Sequence, residues 1–521
     1  MSLTKVSYSM ILGAQSNVLD YGAIANGVTA TQEACLAADA GSVSVVYPAG
    51  VYYITADTVL TKPIIMLPGA RFKVNTGISL TLNGTVTADP LQYIFEGASG
   101  AFTGTFGKVD LWVDWFGAVP DSSISASPAG TDSGIGINKA IVAANNGATR
   151  FGVVKLNAGV YLITTAVVSG TAGIVIQGKG KYVTSLISAN DATTITLVTM
   201  GGAGGPPSIL RGIGVIARVG GSFSATGIHV TGNGTFVSDV WLSGFNAGII
   251  LGSTDVFLFD FSSELNQNGI VVSSSNVNVS NGTVYANAAV GLLVANSGTT
   301  EPGAVTISNV RSTTDTQRGF HITNSSYVIL DACSASHTNA GAYDISAFSI
   351  DGTSDNIQIN NCSAVLGEQS STSIGFDLKG AGAYQLNNCK VNSFNKGVFI
   401  STGGNVTVNG GMFTANKLYG IHANSYNFLT ISNTQCQYQG PTGAADAGIF
   451  VEASAAYQRL LAIGNQCATT GGGAQDYGIR VTCTNALSYG LVSNNITAFN
   501  AVGGVVIDGA NAANITLANN V

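Results

Sequence analysis

Apolar and polar positions alternate along most of the chain in short runs, a period of two that predicts strands with one face in and one face out. From about residue 205 these runs recur in one phrase: Gly, apolar, any residue, apolar, then a second alternating run that ends in Asn. Gly319–Cys333 aligns without gaps on Gly375–Cys389. Further copies begin at Gly227, Gly248, Gly269, Gly291, Gly397, Gly420, Gly448, Gly478 and Gly504, and Ala347 stands in for one glycine. The second landmark falls at Asp239, Asp260, Asn281, Asn309, Ala332, Asn361, Asn388, Gly410, Asn433, Asn465, Asn494 and Asn519. Copies average about 25 residues, the scale of a solenoid repeat. Two short strands per copy, parted by Gly and Asn turns, cannot stack as hairpins at this period. They can wind into an all-β solenoid, a parallel β-helix with one copy per coil and coils about 4.8 Å apart. The recurrent Asn then has a mechanical role: stacked amides satisfy each other and the backbone groups of buried turns. Cys333, Cys362 and Cys389 share one column and read as small buried hydrophobes.

The first 200 residues carry a duplication of their own. Asp20–Ala23 is echoed by Trp115–Ala118, and Tyr47–Ile54 by Leu156–Ile163. An alanine-rich segment lies between the members of each pair. In the second, Ile137, Ala140, Ile141 and Ala144 follow helical spacing after Asp132 and Ser133, a cap for a short helix. Such a helix would cover the open end of a solenoid and its strand edges. These signals divide the chain into an N-terminal lead-in and cap region, residues 1–120, and a parallel β-helix, residues 121–521, with regular coils from roughly 205 onward.

Length alone would suggest about three or four domains, but the repeat makes one solenoid the expectation. The chain has 521 residues, 45% hydrophobic and only 9% charged, which excludes disorder. No apolar run approaches the ~20 residues that span a bilayer, so membrane insertion is not expected. A net charge of −7 with 20 Lys+Arg leaves no basic stripe for nucleic acid. Seven cysteines without a CxxC pair suggest neither a disulfide framework nor a zinc site, and with no calcium loop or HExxH motif no metal or other cofactor is expected. Residues 1–10 are too polar for a signal peptide, which points to synthesis in a reducing cytoplasm.

Val18–Ala23 (VLDYGA), Pro48–Tyr52 (PAGVY), Asp114–Ala118 (DWFGA) and Gln177–Gly180 (QGKG) resemble the opening signature of pectate-lyase-like right-handed β-helix proteins. More narrowly, Val6–Ile11 (VSYSMI) running into Asn17–Ala23 is similar to the leading region of bacteriophage tailspikes. The resemblance covers residues 6–185 by motif and the rest by repeat style. It implies a right-handed helix and a depolymerase or receptor-binding protein acting on bacterial capsule or O-antigen polysaccharide. It also implies a homotrimer, with other virion tail proteins as further partners. Such a protein is assembled in the host cytoplasm, belongs to the virion tail and acts at the bacterial surface.

The repeat phrase also locates chemistry. If its apolar positions point inward, the two others point outward. Along the stack, the first gives His321, Ser349, Asp377, Phe399, His422, Phe450 and Arg480, and the second Thr323, Asp351, Lys379, Ser401, Asn424, Glu452 and Thr482. Lower coils offer only Ile250, Val271 and Leu293. One face between about residues 320 and 482 therefore gathers His, carboxylates, Arg and aromatics in a chain poor in charge. Aromatic rings cover the apolar faces of sugars and carboxylates accept hydroxyl hydrogen bonds. His321, Lys379, Phe399, His422, Phe450, Glu452 and Arg480 are accordingly the expected substrate-binding residues. Inserted segments 295–304, 364–373, 436–447, 451–460 and 467–477 would wall a groove on the same stretch.

Glycoside hydrolysis needs two carboxylates. The lead pair is Asp351 and Asp377, one coil and one column apart, with Glu368 on the segment joining them. The bland alternative is an ion pair of Asp351 with Lys379 stacked above it, worth little at a surface. A second cluster is Asp446 and Asp476, each two residues before a repeat glycine; both could instead splay into solvent. His321 and His422, outward by pattern, read as solvated or sugar-bonding. An eliminating lyase is the rival mechanism: Arg318, Lys379, Lys396 or Arg480 would neutralise a uronate and His422, Tyr419 or Tyr477 would take its proton. A non-catalytic glycan-binding adhesin or virion fibre is the third reading. The acid-rich face favours hydrolysis.

Overall fold

The computed structural model describes residues 15–108, 110–145, 152–170, 173–189, 196–202, 206–217, 225–295, 304–337, 345–367, 372–401, 404–437, 446–453, 458–468, 475–484, 489–509 and 514–521. Val6–Ile11 of the leading motif, Glu368 and parts of all five inserted segments lie outside the described residues. The chain is a right-handed parallel β-solenoid, divided into two compact units, Met1–Gly244 and Phe245–Val521.

In the first unit the duplicated motifs do the same structural work twice. Val18–Tyr21 and Val113–Phe116 each form a 3-10 turn, closed by Gly22 and Gly117 at φ 90° and 89°. Left-handed backbone of this kind is where glycine is needed. Gly50 and Gly159 also hold positive φ, each ahead of a fully buried tyrosine. Tyr52 donates its hydroxyl hydrogen to the Pro48 carbonyl at 2.8 Å, and the Asn157 N–H donates to the Tyr161 hydroxyl at 3.0 Å. Each motif is followed by a helix, α1 at Gln32–Gly41 and α2 at Ser133–Asn145. The Gly134 N–H donates to Asp132 Oδ1 at 3.1 Å, the cap expected for α2.

In the second unit every coil contributes a strand to one parallel sheet, from Ala247–Leu251 through Arg318–Thr323, Ser346–Asp351, Ile374–Leu378, Lys396–Ile400, Tyr419–Ala423 and Ala447–Ala453 to Tyr477–Cys483 and Gly503–Asp508. The rest of each coil differs from the expected single short strand. It is a longer run such as Val277–Tyr285 or Val305–Thr313, which in later coils divides into pairs such as Ser326–Asp331 and Ser334–His337. The bend falls at the second landmark. Asp260, Asn281, Asn309, Ala332, Asn361, Asn388, Asn433, Asn494 and Asn519 all have φ between 51° and 57°. The recurrent Asn is thus chiefly a left-handed residue, a conformation Asn tolerates better than most. Asn465 departs from the pattern, because there the left-handed residue is Gly464 at φ 68°.

Buried amide ladders do exist, at Asn465 of the second landmark and at positions outside it. Asn287 Oδ1 accepts from the Asn266 N–H and Nδ2–H, and Asp315 Oδ1 accepts the same two bonds from Asn287. Asn465, Asn495 and Asn520 repeat the arrangement. Each ladder satisfies one backbone donor per coil where water does not reach.

The repeat glycines answer to space rather than to φ. A Cβ on Gly248, Gly420 or Gly448 would stand 2.5–2.8 Å from the carbonyl oxygen of the next glycine in the column. Inside the coils, Phe320, Phe348 and Phe376 stack at 4.8 and 4.7 Å between ring centroids, and all three are fully buried. Burying such a side chain contributes about 1.5–3 kcal/mol. Cys333, Cys362 and Cys389 are buried free thiols, as expected.

Candidate functional site

Strand register carries out the alignment inferred from the repeat. His321 pairs with Ser349, Ser349 with Asp377, Asp377 with Phe399, Phe399 with His422, His422 with Phe450, and Phe450 with Arg480. Below His321 the column continues into Leu293, Val271 and Ile250, with no polar chemistry.

The exposure of this column differs from expectation. Ser349 and Asp377 are 1% exposed, and His422 is 7% exposed. His321 and Phe450 are likewise buried. The cause is the residue before each repeat glycine. Arg318, Ser346, Lys396, Tyr419 and Tyr477 lie in or beside the same register and cover the column from outside. Arg318 Nη1 is 2.9 Å from His321 Nδ1, Ser346 Oγ is 3.3 Å from Asp377 Oδ2, and the Tyr419 ring lies 4.8 Å from His422.

The two lead carboxylates have opposite environments. Asp377 is enclosed, with the Lys379 ammonium 2.7 Å from Oδ2 and no hydrogen-bond partner at Oδ1. Burial pushes its carboxyl above the ordinary value, against the pull of Lys379 and Ser346. Burial acts on Asp351 as well, but there the Thr323 hydroxyl, His321 and Arg318 prevail and hold the carboxyl below the ordinary value. His321 Nε2 is 2.9 Å from Asp351 Oδ2, and Arg318 Nη2 is 4.0 Å from the same oxygen. Burial and then the Arg318 charge lower the His321 imidazole. At neutral pH its Nε2–H donates to Asp351 and Nδ1 accepts from Arg318. The alternative pairing of Asp351 with Lys379 does not form. Lys379 reaches along its own strand to Asp377, and Asp351 is held from the coil below.

Above Asp377 the site becomes aromatic. His422 lies between Phe399 and Phe450, at 5.0 and 5.1 Å between ring centroids, with Tyr419 packed beside it. Neither ring nitrogen has a hydrogen bond; Glu452 Oε2 approaches Nε2 at 3.5 Å without aligning. Burial, then the Lys396 charge, push His422 down to about 3. It is therefore neither solvated nor charged, and too weak a base for the proton abstraction considered for it. Arg480 bonds Asp508 at 3.1 Å and lies over the rings of Tyr477 and Phe450.

Asp446 and Asp476 also meet, through the backbone. The Asp476 N–H donates to Asp446 Oδ1 at 2.6 Å. Asp446 is 1% exposed rather than splayed into solvent, Oδ2 has no partner, and burial pushes its carboxyl up to about 6. Glu368 lies outside the described residues. Among those residues no group of three or more His, Cys, Asp or Glu is placed to hold a metal. Two depressions of about 470 and 490 Å³ lie elsewhere, one around Tyr93, Asp114 and Lys139, the other around Asn388, Lys390 and Met412. Neither is lined by a column residue, and the orphaned polar atoms at Ser349, Asp377 and His422 mark the column as the better candidate.

The family model described as "Right handed beta helix region" matches residues 374–521. The likeness is one of fold. Solved structures similar to the chain include the catalytic unit of a thermostable GH87 α-1,3-glucanase from Streptomyces thermodiastaticus strain HF3-3. It is 16% identical with a TM-score of 0.43, over 76% of this chain and 69% of that one. The A-module of the mannuronan C-5 epimerase AlgE6 of Azotobacter vinelandii is 15% identical, TM-score 0.33, over 78% and 92% of the two chains. ORF18 of Geobacillus virus E2 is 14% identical, TM-score 0.26, over 76% and 60%. No curated protein matches the chain.

Proposed function

We propose that the chain is a tailspike-like depolymerase, an endo-glycosidase that cleaves a bacterial surface glycan of the capsule or O-antigen class. One observation carries the reading: Asp377 and Asp351, on neighbouring coils, have carboxyls driven in opposite directions by their surroundings. Such a split assigns acid and base roles in glycoside hydrolysis. Asp377, raised and with Oδ1 unpartnered, protonates the leaving group once the side chains that close over it, Lys379 and Ser346, part for the substrate; Asp351 stays ionised and activates water. Asp377 is in register with Ser349, two residues before Asp351 on the same strand, so the two acids are diagonal neighbours. Diagonal positions in a sheet lie about 7–8 Å apart, within the ~6.5–9.5 Å window of inversion.

In this reading residues 1–120 form the lead-in and cap, and the protein works as a homotrimer in a virion tail. Elimination is the second reading, favoured by the Arg318 guanidinium beside a neutral His321. Hydrolysis releases reducing ends alone, whereas elimination adds the ultraviolet absorbance of an unsaturated uronate. An adhesin would bind polymer and leave its length unchanged. Asp377→Asn and Asp351→Asn should each lower turnover by about 10²–10⁴-fold, with Asp446→Asn near wild type. Full turnover in both of the first two variants refutes the proposal.

A further inference from the structure

Cations are spread unevenly along the chain. Residues 146–238 hold six of its 20 Lys and Arg but one of its 27 Asp and Glu. Four of the six are described, and they gather in the first unit around the Gln177–Gly180 motif, which the cleavage reading leaves unused. Strand register stacks Trp112, Lys155, Gln177 and Arg211 in one outward column, three coil steps and about 14 Å long. The loop after Gln177 sets Lys179 and Lys181 beside that column and is stitched to the coil above. The Gly178 N–H donates to the Arg211 carbonyl at 2.9 Å and the Gly180 N–H to the Gly212 carbonyl at 3.0 Å, while the Lys179 N–H donates to Thr184 Oγ1 at 2.9 Å.

Aromatic rings hold these charges in place. Lys155 and Lys179 lie over the Trp112 ring at 5.6 and 4.8 Å, and Lys181 lies over Tyr182 at 5.8 Å. Each such contact contributes about 0.5–1 kcal/mol at an exposed site. Tyr182 is 64% exposed and packs on Trp241 at 5.4 Å, so two of the chain's three tryptophans serve this face. Asp110 pairs with Lys155, and Asp239 is 3.9 Å from Lys181. Lys179 and Arg211 are exposed, and neither has a carboxylate within 4.0 Å among the described residues. Arg211 Nη2 donates instead to the neutral Gln177 Oε1 at 2.9 Å. The ridge is therefore cationic but sparse. Nucleic acid presents a phosphate at every nucleotide and binds through many ion contacts, more than this ridge supplies. A sugar chain with an anion at intervals suits both the spaced charges and the rings, which cover pyranose faces.

We infer that Trp112, Lys179, Lys181, Tyr182 and Arg211 form a second, non-catalytic binding site for a sugar chain that carries phosphate or carboxylate groups. The inference does not depend on cleavage at Asp377. Its test is calorimetric titration of the full chain with dextran phosphate, polygalacturonate, unmodified dextran and oligothymidylate. At least one anionic glycan should bind at least tenfold tighter than dextran, and the one that does identifies the anion. Lys179→Gln combined with Arg211→Gln should remove that preference; both side chains are exposed, so the fold is kept. Lys390→Gln combined with Arg459→Gln, the same change of charge at exposed positions of the second unit, should leave it intact. Asp377→Asn should also leave it intact, which separates this site from any failure of the cleavage reading. Equal affinity for anionic and neutral glycans, or a preference that survives the first pair of substitutions or falls equally with the second, overturns the inference. Tighter binding of oligothymidylate than of either anionic glycan assigns the ridge to nucleic acid and overturns it as well.

Discussion

Ala332 is the alanine in a column of bends otherwise built from Asn, Asp and Gly, and exchanging it tests what that column is for. Its φ is 51°, against 54° for Asn361 one coil above. A residue with a Cβ loses about 1–2 kcal/mol in left-handed backbone. Asn is several-fold enriched there, which at RT of ~0.6 kcal/mol corresponds to about 1 kcal/mol. Ala332 is exposed, so an amide meets no packing obstacle. Ala332→Asn should therefore stabilise the chain by about 0.5–1 kcal/mol. Asn361→Ala should lose at least as much, because it also removes the 3.0 Å bond from Nδ2 to Asp331 Oδ1. The assay is urea unfolding followed by circular dichroism, with labelling of the buried thiols Cys333 and Cys362 as a local probe of opening. The midpoint should rise for the first variant and fall for the second at unchanged slope. If Ala332→Asn is neutral or worse while Asn361→Ala is neutral, the left-handed bend is not what selects Asn.

Asp315 ends a buried amide ladder, and burial raises its carboxyl to about 6. Folded Asp315 holds its proton while the unfolded chain releases it, so its contribution is full below pH ~4, declines as pH rises to ~6 and is flat above, about 3 kcal/mol in all. Asp315→Asn should abolish that decline and stabilise the chain at pH 7, as urea midpoints across this range would record. Under the hydrolytic assignment, turnover should fall about tenfold per pH unit once pH passes the raised Asp377 value; a rate profile whose alkaline limb is unchanged in Asp377→Asn contradicts Asp377 as the acid. Gly420→Ala would force a Cβ to 2.6 Å from the Gly448 carbonyl oxygen. That should cost several kcal/mol or prevent folding, and a soluble variant with an unchanged midpoint would refute the steric account.

The winding and its register were readable because they answer to sterics that repeat in every coil: a glycine where the next carbonyl leaves no room, and an Asn or Gly where the backbone turns left-handed. The column His321–Ser349–Asp377–Phe399–His422 follows from that period alone. Its burial did not follow, because the repeat phrase begins at glycine and omits the residue before it. Arg318, Lys396 and Tyr419 occupy that place and close over the column. The alternative ion pair of Lys379 with Asp351 does not form because a flexible lysine readily reaches Asp377, two positions back, rather than across to the next coil. The first amide ladder left a trace, Asn287 and Asp315 each standing four residues before a repeat glycine. That spacing is masked by the denser Asn signal at the bends.

The column of glycines bears on how such a protein changes over time. It sets the vertical spacing through main-chain contacts that are indifferent to whatever side chain lies outside. A single winding can therefore be swapped, duplicated or lost with its outward residues, and its neighbours meet the same glycine column as before. Under the glycan-cleaving proposal, a change of polymer is then a matter of shuffling modules rather than redesigning a pocket.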